Sequence, residues 1–75
     1  MGSEVKFRIN VPTIALFIED GRQVARRIPA GSEISVDETA IEGNQLIEVR
    51  WIATTVMMFS QDIRARGEKI DSIQD

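Results

Sequence analysis

The 75-residue chain contains no cysteine and no histidine. Those two absences exclude disulfides, thiol nucleophiles, the usual zinc sites and every imidazole-based acid–base mechanism. Tyrosine is also absent, and aromatic residues make up only 5% of the chain. Grooves that hold proline-rich peptides are lined by several aromatic rings, so that mode of recognition has little to work with here. The longest apolar run, Ile14 to Ile18, is far shorter than the roughly 20 residues of a membrane span. The N-terminus lacks the basic-then-apolar pattern of a signal peptide. No glycine-rich phosphate loop, nucleophile elbow or calcium-loop spacing occurs. No cofactor and no metal are therefore expected.

What is present is a globular mixture: 43% hydrophobic and 28% charged residues, with a formal net charge of -3. The length suits one small domain, and a chain this short buries only roughly 60% of its unfolded surface. Self-association is a natural source of further burial. The lack of cysteine suits a cytoplasmic setting. Isoleucine occurs 11 times and valine 6 times, against 2 leucines. Beta-branched side chains are stiff and suit a pleated sheet better than a helix, so the expected class is all-β.

Alternation along the chain locates the strands. Val5, Phe7 and Ile9 alternate with Lys6, Arg8 and Asn10, and Pro12 ends the run. Thr13 to Glu19 and Arg22 to Ile28 are two extended runs joined by Asp20-Gly21, a hairpin signal. Pro29-Ala30-Gly31 reads as a turn before Glu33 to Val36. Asp37 to Gln45 is a polar loop with no basic residue. Leu46 to Ile52 and Val56 to Phe59 form a second pair around Ala53-Thr54. Over Ser60 to Gly67, Asp62 is expected to cap a short helical turn and Gly67 to end it. Glu68 to Ile70 adds a last short strand. Residues 1–3 read as a tag remnant or disordered start, 4–70 as one β-barrel domain, and 71–75 as a loose tail. Five or six short strands in this space predict a small barrel, because closure hides strand edges.

The stretch Arg27-Ile28-Pro29-Ala30-Gly31-Ser32-Glu33-Ile34-Ser35-Val36 resembles the strand–turn–strand of bacterial Src-homology-3-like domains. Leu46-Ile47-Glu48-Val49-Arg50-Trp51 is similar to that family's next strand, and Phe59-Ser60-Gln61-Asp62-Ile63 to its closing strand and helical turn. The resemblance covers about half of the chain, Arg27 to Ile63. The family's Asn-Val-Arg and Ser-Gly-Pro segment and its Trp-Tyr pair are missing. The resemblance implies a small barrel with one helical turn near residues 60–66, of a kind that binds peptides, cell-wall material or partner domains. It assigns no binding residue.

Three sets of residues bear on function. Phe7, Phe17, Trp51 and Phe59 read as core, with Trp51 the candidate for an exposed ring because its indole N–H seeks a partner. Arg22, Arg26 and Arg27 form a basic strand suited to an anion or a nucleic-acid backbone, or to guarding a sheet edge. Val56-Met57-Met58-Phe59 and Ile14-Ala15-Leu16-Phe17-Ile18 place apolar side chains on both faces of a strand, and only one face can be core. Leu16, Ile18, Val56 and Met58 are the expected interface residues. The expected function is a non-enzymatic protein-interaction or assembly module whose partner is a second copy or another protein. The alternatives are a small nucleic-acid-binding barrel using Arg22, Arg26 and Arg27, and a small enzyme with a site formed only between subunits.

Overall fold

Beta-branched alternation becomes seven strands in the computed structural model of the chain, which describes residues 3–70. They are β1 (Glu4–Ile9), β2 (Thr13–Glu19), β3 (Arg22–Ile28), β4 (Glu33–Asp37), β5 (Leu46–Trp51), β6 (Thr54–Phe59) and β7 (Gly67–Ile70). A 3-10 turn spans Ala40–Glu42, and one α-helix, α1, spans Ser60–Arg66. The expected tail 71–75 and the first two residues of the expected start lie outside the described residues.

All seven strands join one antiparallel sheet in the order β3-β2-β6-β5-β4-β1-β7. The all-β class holds, but the sheet is open and the expected barrel is corrected. β7 takes the free side of β1, pairing from Lys6↔Ile70 to Ile9↔Gly67. β3 stands at the other end with β2 as its single neighbour. The two ends never meet, so each leaves an edge.

One face of the sheet forms the core. Phe7, Ile9, Ala15, Ile28, Ile34, Val36, Ile47, Val49, Val56 and Met58 all turn to it, joined by Ile41 of the 3-10 turn and Ile63 of α1. Trp51 and Phe17 pack against this cluster edge to face, with ring centres 5.8 Å apart. The exposed aromatic is therefore Phe59, at 50%, and not Trp51. Backbone bonds close one end of the core. Ile9 N–H donates to the Ser32 carbonyl at 2.8 Å, Gly31 N–H to the Ile9 carbonyl at 2.7 Å, and Asn10 N–H to the Arg66 carbonyl at 2.8 Å.

The turns follow local chemistry, with three departures. Asp20 and Gly21 both take positive φ, 52° and 77°, as expected of this hairpin pair. The β5–β6 loop is Ile52–Ala53, one residue earlier than the sequence suggests, with Trp51 opposite Thr54. Ile52 sits at φ 55° with its side chain 81% exposed. A branched side chain there is strained by about 1–2 kcal/mol. Phe59 holds the N-cap position before α1 and offers no side-chain cap, while Asp62 lies inside the first turn. Gly67 ends α1 in extended backbone, φ -132°, and not in a left-handed cap. Its reason is space: a Cβ there would lie 2.9 Å from both the Arg8 and Ile63 carbonyl oxygens.

Two stability changes follow. Gly67→Ala should lower unfolding free energy by about 1–3 kcal/mol, because backbone oxygens cannot step aside as a side chain can. Ile52→Asn should raise it by about 0.5–1 kcal/mol, since asparagine tolerates the left-handed region. Urea denaturation of both variants checks this. An unchanged midpoint for Gly67→Ala would refute the crowding, and a lower one for Ile52→Asn would refute the strain.

Candidate functional site

Strand parity divides the outer face of the sheet into two halves. In β2, Thr13 and Ala15 are buried and Phe17 packs on the core, so Ile14, Leu16 and Ile18 point outward. In β6, Val56 and Met58 are buried at 1% and 0%. Thr55, Met57 and Phe59 therefore occupy its outer face. Leu16 pairs directly with Met57, and Ala25 with Leu16. The same antiparallel register carries Ile14 toward Phe59, which in turn pairs with Leu46. The result is a contiguous apolar field across β2 and β6, with Ile14, Ile18 and Phe59 exposed at 46%, 61% and 50%.

Two of the four residues expected at an interface, Leu16 and Ile18, lie on this field. The other two, Val56 and Met58, are core residues and are corrected. The β5–β6 register pairs Ile47 with Met58 and Val49 with Val56, and these partners are themselves buried. Met57 and Phe59 complete the field, and alternation alone does not single them out. The signal for them was the four-residue apolar run itself, which put two residues on each face without saying which two.

The other half of the outer face is polar. Glu4, Lys6 and Arg8 of β1, Glu33, Ser35 and Asp37 of β4, and Glu48 and Arg50 of β5 point there. β4 and β5 stay paired only at Ile34↔Trp51 and Ser35↔Arg50. Where they part, a cavity of about 640 Å³ opens over Ala40, Ile47 and Val49, rimmed by Glu4, Asp37, Glu48 and Arg50. Arg50 approaches Glu4 at 3.9 Å with both side chains exposed, a pair of small energetic weight. Among the described residues, no three of His, Cys, Asp and Glu come together to hold a metal ion. The cavity's hydroxyls, Ser35, Thr54 and Thr55, have no imidazole or thiol beside them in a chain that lacks both.

The loop that contributes Ala40 to the cavity is held further along by α1. Buried Ser60 donates its hydroxyl to the Gly43 carbonyl and accepts the Gln45 N–H at 3.1 Å. Arg64 donates Nη1 to the Ile41 and Gly43 carbonyls, both at 2.6 Å, and Nη2 to Asn44 Oδ1 at 2.7 Å. The polar loop expected from Asp37 to Gln45 is thus organised by a cation from the helix, which binds its carbonyl and amide oxygens. Asp37 turns inward on the loop, accepting the Thr39 N–H at 2.9 Å and the Thr39 hydroxyl at 2.8 Å.

The basic strand is placed differently from a continuous patch. Arg22 and Arg26 share the inner-face parity of β3, and Arg27 points to the outer face beside Ile14. Arg26 is bound to Glu19 at 2.7 Å. The three arginines therefore do not converge on one surface. No helix among the described residues is long and apolar enough to cross a membrane. No protein-family model matches the chain, and no curated protein or solved structure matches it either.

The Thr39 backbone N–H, and secondly its hydroxyl, hold the Asp37 carboxyl below its ordinary value. A depressed folded-state value stabilises the fold at pH above the unfolded-state value, and that contribution is lost as pH falls through the folded one. An NMR titration of the Asp37 carboxyl should show the depression, and Thr39→Ala should raise the value part-way by removing one donor. No change in Thr39→Ala would show that the hydroxyl has no part in it.

Proposed function

We propose that this chain is a non-enzymatic assembly module that associates with a second copy of itself through the apolar half of its outer sheet face. The observation that carries the reading is the contiguous field of Ile14, Leu16, Ile18, Met57 and Phe59 on β2 and β6. Burying the half of each such side chain that is still exposed contributes on the order of 1 kcal/mol, and a chain of 75 residues has few other means of adding burial. Contiguous exposed apolar surface on a small domain marks an interaction site more often than it marks idle surface.

The charges around the field favour a copy of the same chain. Arg27 flanks it on the β3 side and Glu48 on the β5 side. A two-fold axis running along the β2–β6 boundary lays the β3 side of one copy over the β5 side of the other. Arg27 of each copy then lies one row of residues from Glu48 of the other, so opposite charges face each other near both rims of an isologous interface.

Sedimentation equilibrium over a wide concentration range tests the reading. The wild-type mass should exceed that of the 8.4 kDa monomer and rise with concentration. Phe59→Asp and Ile18→Asp should each shift it toward monomer. Phe59→Asp should do so without loss of stability, because Phe59 occupies the N-cap position before α1 without capping it and aspartate is a favourable cap. A wild-type monomer at every concentration would refute self-association.

A further inference from the structure

β3 ends the sheet with one side of its backbone unpaired. A two-residue loop makes Glu19↔Arg22 a hydrogen-bonded pair, and antiparallel alternation extends the bonding to Val24, Arg26 and Ile28. Gln23, Ala25 and Arg27 therefore turn their N–H and C=O groups away from β2. Such an edge is a template for another strand, and its charge selects which kind. The whole chain carries a net charge of -3, yet β3 holds three arginines and no acid. Pairing two copies through β3 would bring together three arginines from each, so like charge opposes self-pairing at this edge. Arg26 is already matched by Glu19. Arg22 and Arg27 have no ion-pair partner among the described residues.

We infer that β3 accepts an extended acidic segment of another protein as an added antiparallel strand. Arg22 and Arg27 lie five positions apart and so on opposite faces of the strand. The incoming segment therefore carries two carboxylates five residues apart, one for each arginine. Opposite Ala25 it presents an apolar side chain on the outer face, which lengthens the row formed by Ala25, Leu16 and Met57. Main-chain bonds to Gln23, Ala25 and Arg27 supply the affinity, and the alternating side chains supply the selection. A nucleic acid fits less well, because its phosphates would have to reach arginines on both faces of one strand. The β3 edge borders the apolar field at Ala25 and Arg27, so the monomeric Phe59→Asp protein is the one in which strand addition is read apart from self-association.

The test titrates the full chain with a synthetic peptide whose centre reads Glu-Thr-Val-Val-Thr-Glu, followed by calorimetry and amide hydrogen exchange. Binding should protect the Gln23, Ala25 and Arg27 amides. Arg22→Gln and Arg27→Gln should each weaken it roughly two- to fivefold. The double variant Arg22→Glu, Arg27→Glu should prefer the peptide with lysine in place of glutamate. Monomeric Phe59→Asp protein should bind at least as tightly as the wild type, because Arg27 is then free of the second copy. Equal affinity for a peptide with its glutamates four apart would overturn the proposal. So would binding without protection of those three amides, binding of a thymidine oligonucleotide alone, or no binding at all.

Discussion

The pairing of β5 with β6 through the two-residue loop Ile52–Ala53 sets the parity of the sheet's centre. With Trp51 opposite Thr54, Val49 meets Val56 and Ile47 meets Met58, and all four enter the core. Met57 and Phe59 have then no choice but the outer face. A slip of one residue would exchange the two sets and bury Met57 and Phe59 instead. The loop holds this register although Ile52 sits at a positive φ that its branched side chain disfavours. Burial of four core side chains outweighs about 1–2 kcal/mol of local strain.

From that parity the rest of the outer face follows. β2 meets β6 at Leu16↔Met57, so the apolar residues of the two strands lie side by side. On the other side of β5, the outer positions of β4 and β1 are polar, and the sheet loosens where β4 and β5 separate. Helix α1 compensates there. Ser60 and Arg64 satisfy carbonyls of the loop between β4 and β5 that have no strand partner. One face of one sheet thus carries an apolar half over β2 and β6 and a polar half over β5, β4 and β1.

The two sheet edges differ in the same way. β7 is four residues long and holds both Glu68 and Lys69, with Glu68 tied to Arg8 at 3.2 Å. β3 is seven residues long and holds arginine as its one charged residue type. Short length and mixed charge make β7 a poor template. β3 is long enough to pair and charged enough to repel its own kind. The open sheet, unlike a closed barrel, leaves this difference available to a partner.

Much of the architecture was legible in the chain. Isoleucine and valine outnumber leucine because the fold is a sheet, and β2 and β3 run where alternation and Asp20-Gly21 place them. The apolar runs declared that one apolar face would lie outside the core, and Leu16 and Ile18 were readable as part of it. Closure, parity and convergence were not legible. A strand's period of two is the same for either face, so only the cross-strand register could place Met57 and Phe59 outside and Val56 and Met58 inside. Nothing local said that β7 would take the free side of β1 and leave the sheet open. The three arginines of β3 fall within six residues yet are split between faces, because neighbouring strand residues such as Arg26 and Arg27 point opposite ways. Composition and alternation act through each residue's own backbone, and so they place the strands; which surfaces the strands share depends on long-range pairing, which no local stretch of the chain encodes.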